Sequence, residues 1–125
     1  MADFGLAAFC NAEDYIFYRC GTPGYVAPEV VKLEKGQKIS YSCDIFSAGV
    51  IFHILLMARP LFGGKKFEEV YDNNKNMRFN LNSSIYSNVD PQAMDLLQKM
   101  LKVNPAERLT ANEVLNHPFL SFEGM

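Results

Sequence analysis

Three sets of side chains in this sequence could do chemistry: thiols, imidazoles, and an ordered series of carboxylates that ends in an arginine. Cys10, Cys20 and Cys43 have no CxxC spacing and are odd in number, so they read as reduced, semi-buried thiols and not as a metal or disulfide framework. His53 lies inside an apolar run and His117 stands directly before Pro118. Neither has a plausible nucleophile or metal partner, and both read as structural. The remaining signals come in a fixed order: Asp3-Phe4-Gly5, then Cys20-Gly21-Thr22-Pro23-Gly24-Tyr25, then Ala27-Pro28-Glu29, then Asp44, then Arg108. Carboxylates can ligate a hard cation, accept backbone N–H bonds or pair with the planar fork of an arginine. Any one of these tripeptides arises by chance, so the order carries the information.

These residues have to be held by something, and the pattern between them is helical. Residues 44–57 are apolar or small from Ile45 onward, interrupted only by Ser47 and His53. A helix that is apolar all round has no solvent face and belongs in the middle of a domain. This one is shorter than the roughly 20 residues that span a bilayer. Ser40 or Ser42 is expected to cap it, Pro60 prevents much continuation, and Asp44 falls in the first turn, where the helix dipole favours a carboxylate. Ahead of it, residues 1–29 carry Gly5, Gly21, Pro23, Gly24 and Pro28, which predicts a long irregular segment of the kind that is usually functional.

A short helix is expected over residues 27–33 and a surface helix over 67–74, with Phe67, Val70 and Tyr71 on one side. Asp90-Pro91 is a helix start, a capping residue followed by proline at the first helical position. Met94, Leu97 and Leu101 then recur at helical spacing, with Leu96 and Met100 widening the stripe. Thr110 and Glu113 are spaced as a capping box. His117-Pro118 ends the last helix, and Phe119, Leu120 and Phe122 are expected to fold back on the core. The coarse result is an all-α body of four or five helices led by a long loop.

The 125 residues fit one domain, which should bury somewhat over 60% of its unfolded surface. Hydrophobic content is 49% and net charge −2; with no basic tract, nothing points to nucleic acid as a partner. Nothing points to a membrane either, and the absence of a basic n-region after Met1 predicts a cytoplasmic setting.

Taken in order, the motifs resemble the C-terminal helical half of a eukaryotic protein kinase catalytic domain, over essentially the whole chain. Thr22 points to the serine/threonine branch, and Ile54-Leu55-Leu56 resembles the calcium/calmodulin-dependent group. The resemblance implies a mainly α fold, a C-lobe fragment of the protein-kinase-like α+β fold built around the buried central helix. Residues 1–29 would be the activation segment and 30–125 the helical lobe, with the N-lobe and catalytic loop absent.

By the same resemblance Asp3 would ligate the Mg²⁺ that bridges the phosphates of ATP, the cofactor pair of the family. Phe4 would supply the ring whose packing separates active from inactive states, and Gly5 would let the backbone flip there. Cys20, Gly21, Thr22, Pro23, Gly24 and Tyr25 would form the pocket for the residue following the phosphoacceptor, Thr22 completing the site for a hydroxyl acceptor. Glu29 and Arg108 would form a buried ion pair, and Asp44 would bond the backbone of the catalytic loop. Phe46 stands where the family usually has Trp. The expected partner is a protein with a Ser or Thr acceptor, with a regulatory domain or protein possible outside this chain.

The glycine-rich loop, the strand lysine and the general base would lie ahead of Asp3, so the fragment alone is expected to transfer no phosphate. The alternative is a non-catalytic binding module or pseudokinase-type decoy. Against that alternative, the central helix would lose cover on the side that upstream elements normally occupy, leaving exposed apolar area.

Overall fold

The computed structural model describes residues 23–121. Asp3, Phe4, Gly5, Cys20, Gly21, Thr22 and Phe122 lie outside the described residues. Five α-helices follow in order: α1 (Pro28–Val31), α2 (Ser42–Met57), α3 (Phe67–Lys75), α4 (Pro91–Met100) and α5 (Ala111–Leu115). Single 3₁₀ turns lie at Ser84–Tyr86 between α3 and α4, at Pro105–Glu107 between α4 and α5, and at Pro118–Leu120 after α5, and there is no strand among the described residues.

Helix α2 organises the rest, as its composition predicts. Phe46, Gly49, Val50 and His53 are buried along one side, and Phe46 and Val50 join Ala27, Val30, Leu61, Phe62, Leu97 and Leu101 in the core. The end of α4 approaches it tightly at Gly49, where a Cβ would come within 2.9 Å of Leu101 Cδ2 and 3.1 Å of Met100 Cβ. Glycine is required there by the approach of a neighbouring chain, since cores do not absorb even one extra carbon without shifting. The helix ends at Ala58, whose φ of 55° turns the chain into the left-handed region while its N–H bonds Ile54 C=O at 2.8 Å.

One expectation about α2 needs correction. Tyr41, not Ser40 or Ser42, is the capping residue, and it makes no side-chain cap; Ser40 Oγ instead accepts the Ser42 N–H at 3.3 Å. The helix does leave the exposed apolar area expected where upstream elements are missing. Tyr41, Asp44, Ala48, Ile51 and Leu55 are exposed at helical spacing, with Ile51 at 51% and Leu55 at 78%. An all-apolar helix indicates that cover is needed, but not that the described residues supply it.

His53 illustrates how a buried polar residue is satisfied. Its Nδ1–H donates to Arg59 C=O at 3.0 Å, and its Nε2 accepts the Tyr86 hydroxyl at 2.8 Å. That arrangement needs the neutral ring, and burial lowers the His53 pKa from its ordinary value while raising that of Tyr86. The unfolded chain therefore takes up a proton on His53 at a higher pH than the folded one, and stability must fall as pH drops below about 6.5. His53→Leu is expected to flatten the stability profile between about pH 7 and 5, followed by urea unfolding at each pH. An unchanged slope would remove His53 as its source.

The remaining elements follow from local chemistry. Asp90 Oδ1 caps α4 by accepting from Gln92 and Ala93 at 2.7 and 3.3 Å, and Ala93, Leu96, Leu97 and Met100 form its buried face. The Thr110–Glu113 capping box is present in both directions, at 3.2 and 3.0 Å. His117 ties the last turn to α4: Nε2–H donates to Asp95 at 2.7 Å and Nδ1 accepts the Phe119 N–H at 3.1 Å. The bond from Lys99, then the one from His117, holds the Asp95 carboxyl below its usual range. The Phe119 ring folds back onto Phe52, 5.6 Å between centroids.

Candidate functional site: the held segment ahead of α1

Arg108 is brought into the core by the turn before it. Asn104 caps that turn by accepting the Ala106 N–H at 2.9 Å, and Pro105 starts it. Arg108, 4% exposed, then has every guanidinium donor engaged. Nη1 and Nη2 bond the two oxygens of Glu29 at 2.7 and 3.1 Å. Nη1 also donates to Ser42 C=O at 2.8 Å, Nε and Nη2 reach Lys102 C=O at 2.9 and 2.8 Å, and Nη2 reaches Val103 C=O at 3.3 Å. The Phe46 ring lies beneath, 5.2 Å from Cζ to the ring centroid. One arginine thus fastens α1, the start of α2 and the segment just after α4 together, a use that suits its rigid fork and weak hydration.

Immediately ahead of α1, residues 23–26 are held from two sides. Gly24 has φ +96°, a conformation that L side chains rarely adopt, and a Cβ there would meet Val70 Cγ1 at 3.2 Å. From α2, Ser47 Oγ donates to Tyr25 C=O at 2.6 Å. From α3, Asn74 Oδ1 accepts the Gly24 and Val26 N–H groups at 2.8 and 3.3 Å, while Nδ2 donates to Val26 C=O at 2.8 Å. These bonds fix the backbone on both sides of Tyr25.

Glu29 and Arg108 are therefore brought together; Pro23, Gly24 and Tyr25 precede α1, with Gly24 and Tyr25 held by α3 and α2. Asp44 is not part of this cluster. It lies on the open face of α2, and its one side-chain contact among the described residues is a long one, Cys43 Sγ at 3.8 Å. No group of His, Cys, Asp or Glu among the described residues could hold a metal ion. Asp3 lies outside them.

Sequence reasoning missed Asn74 altogether, because Asp72-Asn73-Asn74-Lys75-Asn76 gives no sign of which polar residue turns inward. Ser47 did leave a signal, as one of two polar interruptions in the apolar run. In α3 only Val70 of the expected trio faces the held segment; Phe67 and Tyr71 are exposed and stack on each other with ring planes 7° apart.

Residues 1–120 match the family model of the protein kinase domain. Calcium-dependent protein kinase 3 of Plasmodium yoelii yoelii is 37% identical over 118 residues, which are 94% of this chain and 21% of that protein. The delta subunit of calcium/calmodulin-dependent protein kinase type II of Oryctolagus cuniculus is 38% identical over 122 residues, 97% of this chain and 22% of that one. Among solved structures, the twitchin kinase region from C. elegans superposes with a TM-score of 0.76 at 31% identity, covering 95% of this chain and 21% of the other. The chain spans about a fifth of the length of these relatives. With a buried arginine clamp, a helical body around α2 and a family match over nearly all its residues, the chain belongs to the protein kinase domain family and corresponds to its helical C-terminal lobe.

Proposed function

We propose that this chain is part of a serine/threonine protein kinase, and that the longer protein moves the γ-phosphoryl group of ATP to a Ser or Thr hydroxyl of a protein substrate. Residues 1–29 would be its activation segment and 30–125 the lobe that carries it. The observation that supports this most is the clamp at Glu29 and Arg108 together with the held backbone of residues 23–26, which gives a substrate-binding segment a fixed floor.

Cys20, Gly21, Thr22, Pro23, Gly24 and Tyr25 would receive the residue following the phosphoacceptor. Asp3 would ligate Mg²⁺, with Phe4 and Gly5 setting its orientation; the ion would neutralise charge on the phosphates during transfer. The rest of the ATP site would come from other parts of a longer chain, so the 125 residues alone are expected to be inactive. No helix among the described residues is long and apolar enough to cross a membrane, and a cytoplasmic location forms part of this reading.

The test compares the 125-residue chain with the longest natural chain that contains it, using ATP labelled at the γ position and peptides bearing Ser, Thr or Tyr. Label should reach Ser or Thr with the longer chain only and be lost on Asp3→Asn. Transfer to Tyr alone, or transfer by the 125 residues unaided, would contradict the proposal. The second reading is a non-catalytic binding module, in which a docking partner would cover the open face of α2, where Tyr41, Ile51 and Leu55 are exposed. That reading takes over if the longer chain transfers nothing.

A further inference from the structure

We propose that Asn74 is a positioning residue that sets which side chain residues 23–25 accept, an inference that rests on the assignment of that segment to the residue following the phosphoacceptor. Asn74 is 2% exposed, and its carboxamide reaches backbone 48 to 50 residues away. Both backbone groups of Val26 bond this one side chain, N–H at 3.3 Å and C=O at 2.8 Å. A neighbouring strand would pair a residue in the same way, so the segment gains ladder-type pairing with no strand beside it. The third bond, from Gly24 N–H at 2.8 Å, lies on the other side of Tyr25. With Tyr25 C=O fixed by Ser47, the path of the backbone through residues 24–26 is determined, and with it the direction in which the half-buried Tyr25 leaves the chain.

Few side chains could replace this one. The site needs an oxygen that accepts two N–H bonds and a donor about 2 Å from it, which is the carboxamide inventory. Aspartate keeps the acceptor and turns its second oxygen on a carbonyl. Glutamine adds a methylene. Leucine matches the volume and leaves two N–H groups and a C=O unpaired. Because Asn74 is buried behind the segment, its effect on a ligand would pass through the backbone it holds.

The test uses the full natural chain carrying these residues, as wild type, Asn74→Leu and Asn74→Asp. Each is titrated with fluorescent serine peptides that differ only in the residue after the serine, and amide exchange is read at Gly24 and Val26. The wild type should discriminate among the peptides. Asn74→Leu should narrow that spread about tenfold and speed exchange at both amides about tenfold or more, with preferences at other peptide positions unchanged. Asn74→Asp should recover part of the spread. General loss of stability would weaken all peptides alike, so an unchanged spread in Asn74→Leu with faster amides would overturn the positioning role. A wild type that ignores the residue after serine would overturn the assignment of residues 23–25 itself, and the inference with it.

Discussion

Arg108→Ala should lower the unfolding free energy by about 3–5 kcal/mol, a large share of the roughly 5–15 kcal/mol that holds a domain together. The truncation removes five N–H donors from a site largely closed to water. Glu29, with its side chain only 18% exposed, is left without its counter-charge, and the carbonyls of Ser42, Lys102 and Val103 lose their donor. Arg108→Lys should recover less than half of the loss. A single ammonium cannot reach the carboxylate and three separated carbonyls at once. Urea unfolding of the variants followed by circular dichroism measures both. A loss below about 1 kcal/mol, the range of exposed ion pairs, would mean that the clamp carries no structural weight.

Phe46→Ala is expected to cost about 3–5 kcal/mol as well, from the cavity it leaves. Phe46 is fully buried among Val50, Leu97 and Leu101, and its ring is the floor under the guanidinium. The two substitutions should therefore fail to add. A double-mutant cycle between Arg108→Ala and Phe46→Ala is expected to show coupling of about 0.5–2 kcal/mol. Phe46→Leu, which keeps much of the volume but no ring, separates the cavity from the stacking. Additivity within about 0.3 kcal/mol would assign the whole effect of Phe46 to packing.

What the sequence disclosed depended on how local the cause was. The start of α4 at Asp90-Pro91 and the capping box at Thr110 and Glu113 are complete within four residues, and both formed as read. The pairing of Glu29 with Arg108 spans 79 positions. No periodicity could join them, and only the resemblance of the ordered motifs did. The buried side of α2 was hidden by its own uniformity, since an apolar stripe on an apolar helix has no contrast. Asn74 was hidden in the opposite way, among polar neighbours that differ from it only in direction. The expected metal ligand and half of the substrate segment lie in residues 1–22, outside the described part of the chain.

The bonds from Ser47 and Asn74 also change the entropy of any binding event at residues 23–25. A loop that orders only when a ligand arrives must surrender roughly 1–2 kcal/mol of backbone freedom per residue at that moment, and this is subtracted from affinity. Here residues 24–26 give up that freedom when α2 and α3 dock, before any ligand is present. A peptide that settles against them would meet a surface already in its final shape, and more of its contact energy would remain available for discrimination.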